Sequence, residues 1–81
     1  MELIATFYSH FGAVRFVKNC KNAECKAKLM PVPRSLSSSC GTCVSYEWDD
    51  IWPYEGNHED VEQIVVVSKE GYKQLYRAEN S

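Results

Sequence analysis

A polar segment with two prolines, residues 31–39, separates two stretches in which apolar and polar residues alternate, residues 25–30 and 43–48. Alternation with a period of two predicts strands that are buried on one face. Pro31 and Pro33 have no N–H to donate to a β-ladder, so the first strand must end where they begin. The middle of the chain is therefore constrained to strand, loop and strand, with the loop at one end of a sheet.

The N-terminal part of the chain predicts a strand followed by a helix. Residues 2–8 are short, apolar and aromatic, and they favour an internal strand. Ser9 is suited to cap a helix, which we expect to run from His10 to Asn22. Gly12 weakens the first turn of this helix slightly. The helix has an apolar face at helical spacing, formed by Ala13, Phe16, Val17 and Cys20.

The region that follows the acidic, aromatic loop has two interpretations. Asn57 is suited to cap a second helix, with acidic residues in its first turn and Gly71 as its stop. We favour this helix, although the β-branched run Ile64–Val67 favours a strand, which would make residues 68–71 the turn of a hairpin. Tyr72–Ala78 alternates again and predicts a closing strand. The buried face of the second helix would consist of Val61, Ile64, Val65 and Ser68.

The resulting order, β-α-β-β-α-β, predicts a ferredoxin-like fold. This α+β two-layer sandwich has two helices on one face of a four-stranded antiparallel sheet. A length of 81 residues predicts a single domain over residues 1–81. Such a domain leaves little room for a deep catalytic cleft, which argues against a stand-alone enzyme.

Charge and hydropathy argue against several classes of function. The net charge of −2 argues against nucleic-acid binding, which needs a basic face. No stretch approaches the ~18 apolar residues of a membrane span, and the N-terminus lacks the basic region of a secretory signal. We therefore expect a cytoplasmic protein, in which four cysteines indicate metal, redox or thiol chemistry rather than stable disulfides.

The predicted topology separates the cysteines into two pairs. Cys20 ends the first helix and Cys25 opens the next strand, so both lie at one end of the sheet, whereas Cys40 and Cys43 lie at the other. A six-residue strand spans roughly 20 Å, so the four thiols cannot share one zinc ion. We expect Cys20 to be a small buried apolar residue.

Cys40 is the candidate reactive residue. Its loop is predicted to lie beside the N-terminus of the first helix, where free N–H groups and partial positive charge favour a thiolate. His10 at the helix start and Arg34 in the loop would add polar and positive groups around the sulfur. Gly41 would let backbone amides turn inward, and the hydroxyls of Ser37 to Ser39 would be available to the same anion.

Three motifs resemble a known family. The run Lys26–Arg34, KAKLMPVPR, is followed by Ser37–Gly41, SSSCG, and preceded by Ile4–Ser9, IATFYS. Together they resemble small bacterial proteins of the selenium/sulfur carrier-like family, over nearly the whole chain and most closely over residues 26–41. The resemblance implies a ferredoxin-like fold and a cysteine, here Cys40, that carries sulfur or selenium.

Several functions remain open around this cysteine. A carrier would hold a covalent persulfide or selenide on Cys40, with no other cofactor, and exchange it with donor and acceptor proteins. Cys43 departs from the family pattern; it would either help to release the cargo or form a dithiol–disulfide redox pair with Cys40. A metal-binding module would use both thiols, with His10 or a second chain supplying further ligands. A protein-interaction module would use the loop around Trp52, unless that loop folds back over the core.

Overall fold

The computed structural model describes residues 1–56 and 58–79 and contains one helix and five strands there. In chain order they are β1 (Glu2–Phe7), α1 (His10–Asn22), β2 (Lys26–Pro31), β3 (Thr42–Glu47), β4 (Val61–Ser68) and β5 (Gly71–Arg77). The predicted strand, helix, strand and strand of residues 1–48 are confirmed, each to within about one residue at either end.

The helix begins where the sequence predicts because Ser9 caps it. The backbone of Ser9 is extended, and its hydroxyl accepts a hydrogen bond from the Gly12 N–H at 3.2 Å. The predicted apolar face is buried through Ala13, Phe16 and Cys20. With 13 residues, α1 lacks the length needed to cross a membrane, and no other described segment is a helix of that kind.

The predicted second helix is wrong, and the competing hairpin interpretation is confirmed. Val61–Ser68 is strand β4, which pairs with β5 across a turn at residues 69 and 70. Asn57, the predicted cap, lies outside the described residues.

A β-bulge explains why β4 resembles a helix in sequence. The register between β1 and β4 shifts between Thr6 and Phe7, so Val61 and Ile64, three positions apart, both join the core beneath α1. Val65 is also buried, on the opposite face, because β4 is an internal strand. A bulge combined with burial on both faces therefore reproduces the spacing of a helical face.

The five strands form one antiparallel sheet in the order β2-β3-β1-β4-β5. The α+β class is confirmed, but the predicted four-stranded sheet with two helices is wrong in both numbers. Strand β4 lies next to β1, and β5 is added as a further edge strand. Strands β1 and β2 run in the same direction with β3 between them, as the predicted topology requires.

The helix covers one face of the sheet, and a loop covers part of the other. The main core lies beneath α1 and is centred on Phe16, whose ring meets those of Phe7 and Tyr46 edge-on at 5.2 Å. A smaller cluster on the opposite face is covered by Val32 and Leu36 of the loop between β2 and β3. The buried members of this smaller cluster are Ile4, Cys43 and Val65.

Candidate functional site

Cys40 lies at the end of the loop between β2 and β3, with its side chain partly exposed. Its thiol donates a hydrogen bond to the Thr42 carbonyl at 3.2 Å, and its N–H donates to the Ser38 hydroxyl at 3.3 Å. The side chain also packs against the edge of the main core. All four cysteines lie in the described part of the chain, and Cys40 alone among them is not buried.

His10 and Cys40 share Thr42 as a hydrogen-bonding neighbour. The Nδ1 atom of His10 lies 3.2 Å from the Thr42 hydroxyl, while the Thr42 carbonyl accepts from the Cys40 thiol. Because His10 is the first residue of α1, the Cys40 loop lies at the N-terminal end of the helix. The structure therefore places Cys40 and His10 together, as the sequence predicts.

The serine run is anchored to strands β1 and β4. The Ser38 hydroxyl donates to the Phe7 carbonyl at 3.2 Å, at the end of β1. The side-chain amide of Gln63 donates to the Ser37 carbonyl at 3.1 Å, from β4. These bonds fix the backbone on the N-terminal side of Cys40.

Glu62 of β4 provides the strongest anchor of the loop. Its carboxylate accepts from the Ser39 hydroxyl at 2.6 Å, from the Ser39 N–H at 3.3 Å and from the Thr6 hydroxyl at 3.2 Å. Burial opposes ionisation of Glu62, but the hydrogen bonds from Ser39 and Thr6 outweigh it and lower the pKa of the carboxyl group. Glu62 is therefore held as a carboxylate that binds the loop.

The serine hydroxyls are thus directed away from the sulfur. Ser39 lies next to Cys40, but its hydroxyl proton is donated to Glu62, and that of Ser38 is donated to the Phe7 carbonyl. Neither proton is available to an anion on Cys40 in this arrangement. The serine run holds the loop in place, which differs from the cradle expected from the sequence.

Gly41 and Arg34 occupy different positions relative to the sulfur. The Gly41 carbonyl accepts from the Val32 N–H at 3.1 Å, and the Gly41 N–H has no hydrogen-bond partner among the described residues. That amide follows Cys40 directly in the sequence. Arg34 is exposed in a turn and contacts no described residue through a hydrogen bond or ion pair, so nothing holds it beside Cys40.

Cys43 lies on the other side of the sheet from α1. It is fully buried with Ile4 and Val65, and its thiol faces the Pro31 carbonyl at 3.6 Å. Burial, together with the nearby Cys40 thiol, raises the pKa of Cys43 to about 11. The side chains of Cys40 and Cys43 therefore pack in separate clusters.

Cys20 and Cys25 form the second pair, at the far end of β2. The Cys25 N–H donates to the Cys20 carbonyl at 2.8 Å, and the Cys25 thiol donates to the Glu47 carbonyl at 3.3 Å. Burial raises the pKa of both thiols. The predictions that the cysteines divide into two pairs and that Cys20 is a small buried residue are confirmed.

The structure also bears on the predicted metal site. Within residues 1–56 and 58–79, no three histidine, cysteine or acidic side chains come together as metal ligands.

The aromatic loop has a defined position. Trp52 stacks on His58 at 3.6 Å between ring centroids and meets Tyr76 edge-on at 5.0 Å. The loop around Trp52 therefore folds back over the core, which is the second of the two predicted arrangements.

Sequence reasoning missed two residues that shape the site, Thr42 and Glu62. The role of Thr42 was not evident in the sequence, because Thr42 precedes the residues of β3 that alternate clearly. Glu62 was assigned to a helix, which removed it from the neighbourhood of the serine run. The hairpin interpretation would have placed it beside β1, because an internal strand must pair on both sides.

The family comparison extends over almost all of these elements. A family model described as "Putative Se/S carrier protein-like" matches residues 2–77. The chain belongs to this family. The Se/S carrier-like match includes Cys40, its anchoring loop and both strands to which the loop is bonded. No curated protein and no solved structure matches the chain.

Proposed function

We propose that this chain carries sulfur or selenium as a persulfide or selenide on Cys40. The observation that carries the proposal is the contrast among the thiols: Cys40 is partly exposed at the rim of the sheet, and the other three cysteines are at most 4% exposed. A carrier needs one accessible sulfur on a stable scaffold, because its partners supply the remaining chemistry. The family name supports the same class of cargo.

Loading requires a single displacement. The Cys40 thiolate attacks the outer sulfur of a donor persulfide, R–S–SH, the donor S–S bond breaks, and the electron pair leaves with R–S⁻. Cys40 then carries –S–SH, and no net oxidation occurs. Delivery is the same step in reverse, with an acceptor thiolate taking the outer sulfur and restoring the Cys40 thiolate. Selenium in place of the outer sulfur follows the same balance.

The residues around Cys40 have separate parts in this proposal. The free Gly41 N–H and the N-terminal end of α1 stabilise the sulfur anion. His10 positions Thr42, whose carbonyl accepts from the uncharged thiol. Arg34, exposed in the same loop, is available to attract an anionic donor as it approaches.

The dithiol redox alternative is weaker than the carrier proposal. It needs Cys43 to reach Cys40, but Cys43 is fully buried on the opposite face of the sheet. The same geometry argues against Cys43 as the residue that releases the cargo. We propose instead that an acceptor protein provides the releasing thiolate. A reducing compartment such as the cytoplasm suits this chemistry, because it keeps the four cysteines free.

Mass spectrometry of the intact protein tests the proposal directly. After incubation with a cysteine desulfurase and cysteine, or with a small-molecule persulfide, we expect one added sulfur on Cys40 and background loading in Cys40→Ser. Cys43→Ser and Cys25→Ser are matched controls that should load as the wild type does. Sulfur found on Cys43, or no sulfur while a reference carrier loads normally, would overturn the proposal.

A further inference from the structure

Strand β2 forms a free edge of the sheet with unpaired backbone groups. The Val32 N–H donates to the Gly41 carbonyl, which fixes the phase of hydrogen bonding between β2 and β3. Antiparallel bonding alternates along a strand, so the N–H and C=O groups of Ala27 and Leu29 point away from β3. No strand in the described residues pairs with that side of β2. The edge therefore offers two donors and two acceptors to another chain.

The side chains on this edge differ between its two faces. On the face beneath α1, Leu29 is 41% exposed, and Val14 on the helix is 42% exposed. On the opposite face, Lys26 and Lys28 are exposed and form no ion pair with described residues. Glu47 is the cross-strand neighbour of Lys26 and lies one strand further from the edge. The edge is thus apolar on one face and basic on the other.

We propose that the β2 edge binds an extended acidic segment of a partner protein as a sixth strand. Main-chain bonds to Ala27 and Leu29 would supply affinity, as in strand addition generally. Residues of the segment opposite Ala27 and Leu29 are apolar and pack towards Leu29 and Val14. Residues opposite Lys26 and Lys28 are acidic, because they share the face of the lysines. The segment therefore alternates apolar and acidic side chains.

The position of this edge connects it to the proposed carrier site. Strand β2 ends at Pro31, which pairs with Thr42, the residue that contacts both His10 and Cys40. A partner bound along β2 is therefore held at the end of the sheet where Cys40 is exposed. That the partner is a donor or acceptor of sulfur rests on the proposed function, whereas the docking itself does not.

Charge favours a different protein over a second copy of this chain. Two β2 strands paired with each other would bring lysines of both copies onto one face, and like charges in such positions are destabilising. Edge lysines protect a sheet against indiscriminate pairing, and the same lysines select an acidic partner.

Two synthetic peptides test the proposal, an alternating Val/Glu heptapeptide and its Val/Lys counterpart. Each is titrated into the ¹⁵N-labelled Cys40→Ser protein, and amide hydrogen exchange is followed by NMR. We expect the Glu peptide to protect the amides of Ala27 and Leu29 and the Lys peptide to protect neither. In Lys26→Glu/Lys28→Glu, we expect roughly tenfold weaker binding of the Glu peptide and gain of binding by the Lys peptide.

The control variant carries the same charge change at the opposite edge of the sheet, in β5 and the turn before it. Lys69→Glu/Lys73→Glu should bind the Glu peptide as the wild type does. Protection at β5 in place of β2, equal binding of the two peptides, or no protection at millimolar peptide would overturn the proposal. Protection of Ala27 and Leu29 by concentrating the protein alone would assign the edge to a second copy and overturn it as well.

Loading of Cys40 separates this proposal from the proposed function. Lys26→Glu/Lys28→Glu should accept sulfur from a small-molecule persulfide at the wild-type level, since that reaction needs no docked strand. Normal loading without peptide binding would reject the docking edge alone. Peptide binding without loading would reject the carrier function alone.

Discussion

At the scale of single residues, Gly12 determines how closely the start of α1 approaches β4. A Cβ atom at Gly12 would lie 2.8 Å from the Cβ of Asp60 and 3.2 Å from its Cγ. Asp60 is fixed at this point, because its carbonyl accepts from the Tyr8 N–H and its carboxylate lies 3.4 Å from Arg15. The sequence indicated only the weak helix propensity of Gly12, since a contact with a residue 48 positions later leaves no local signal.

We expect Gly12→Ala to destabilise the protein by about 1–3 kcal/mol, because the crowding at Asp60 exceeds the gain in helix propensity. Gly41→Ala is the matched control: nothing lies within 4 Å of its Cβ position and its φ is not positive, so the change should stay within about 0.5 kcal/mol. Urea unfolding measures both. An equal effect of the two substitutions would contradict this account, and Asp60→Gly should reduce the cost of Gly12→Ala.

At the scale of elements, β4 anchors the loop that carries Cys40. Glu62 and Gln63 bind Ser39 and Ser37 from the strand, so the position of the loop depends on the register of β4 against β1. The bulge between Thr6 and Phe7 sets that register. The loop is therefore positioned by long-range strand pairing and not by its own serine-rich sequence.

Glu62→Gln should loosen this loop. Because the pKa of Glu62 is lowered on folding, its contribution is complete above its ordinary value of 4.5 and is lost as the pH falls through the lower folded-state value. We expect a loss of about 1–2 kcal/mol at pH 7, a smaller further loss on acidification than in the wild type, and faster alkylation of Cys40. Urea unfolding between pH 7 and 3 measures the first two.

Glu70→Gln, in the exposed turn between β4 and β5, is the control for Glu62→Gln and should leave both stability and alkylation near wild type. Identical acid profiles for Glu62→Gln and the wild type would show that the carboxylate does not hold the loop.

The sequence predicted α1, β2 and β3 because each shows a periodic pattern of apolar residues, and β1 because its short apolar run is bounded by Ser9. It could not predict β4, because the bulge and burial on both faces remove the period of two from Val61–Ser68. The residues of the candidate site were likewise predictable only where they depend on these four elements. Cys40 and His10 were placed by the topology of residues 1–48, whereas Glu62 depended on the strand that was assigned to a helix.

At the scale of the whole molecule, three buried thiols and one buried phenol make the fold sensitive to alkaline pH. Burial raises the pKa of Cys20, Cys25, Cys43 and Tyr46 above the ordinary values. Each group keeps its proton in the folded state after the unfolded chain has released it. Their contribution to stability is therefore complete below the unfolded-state pKa and is lost as the pH rises through the folded-state pKa.

We expect the free energy of unfolding to fall more steeply between pH 9 and 11 in the wild type than in Cys43→Ala. Cys43 has a folded-state pKa of about 11 against an ordinary value of 9.0, so the difference in slope should approach 1.4 kcal/mol per pH unit. Urea unfolding under reducing conditions measures both slopes. Ser45→Ala, a neighbouring substitution on the same strand, should retain the wild-type slope. Parallel slopes for the wild type and Cys43→Ala would contradict the expectation.

The anchors of the Cys40 loop end on oxygen and nitrogen atoms of Phe7, Glu62 and Gln63, and none of them uses the sulfur. Adding an atom to that sulfur, or removing it, leaves every anchor intact. Under the proposed carrier function, the loaded and unloaded forms of the protein would therefore have nearly the same shape. A partner would have to recognise the loaded form by contacting the terminal sulfur or selenium atom itself. The direction of transfer would then depend on the relative affinities of the two thiols for that atom, and not on a conformational change.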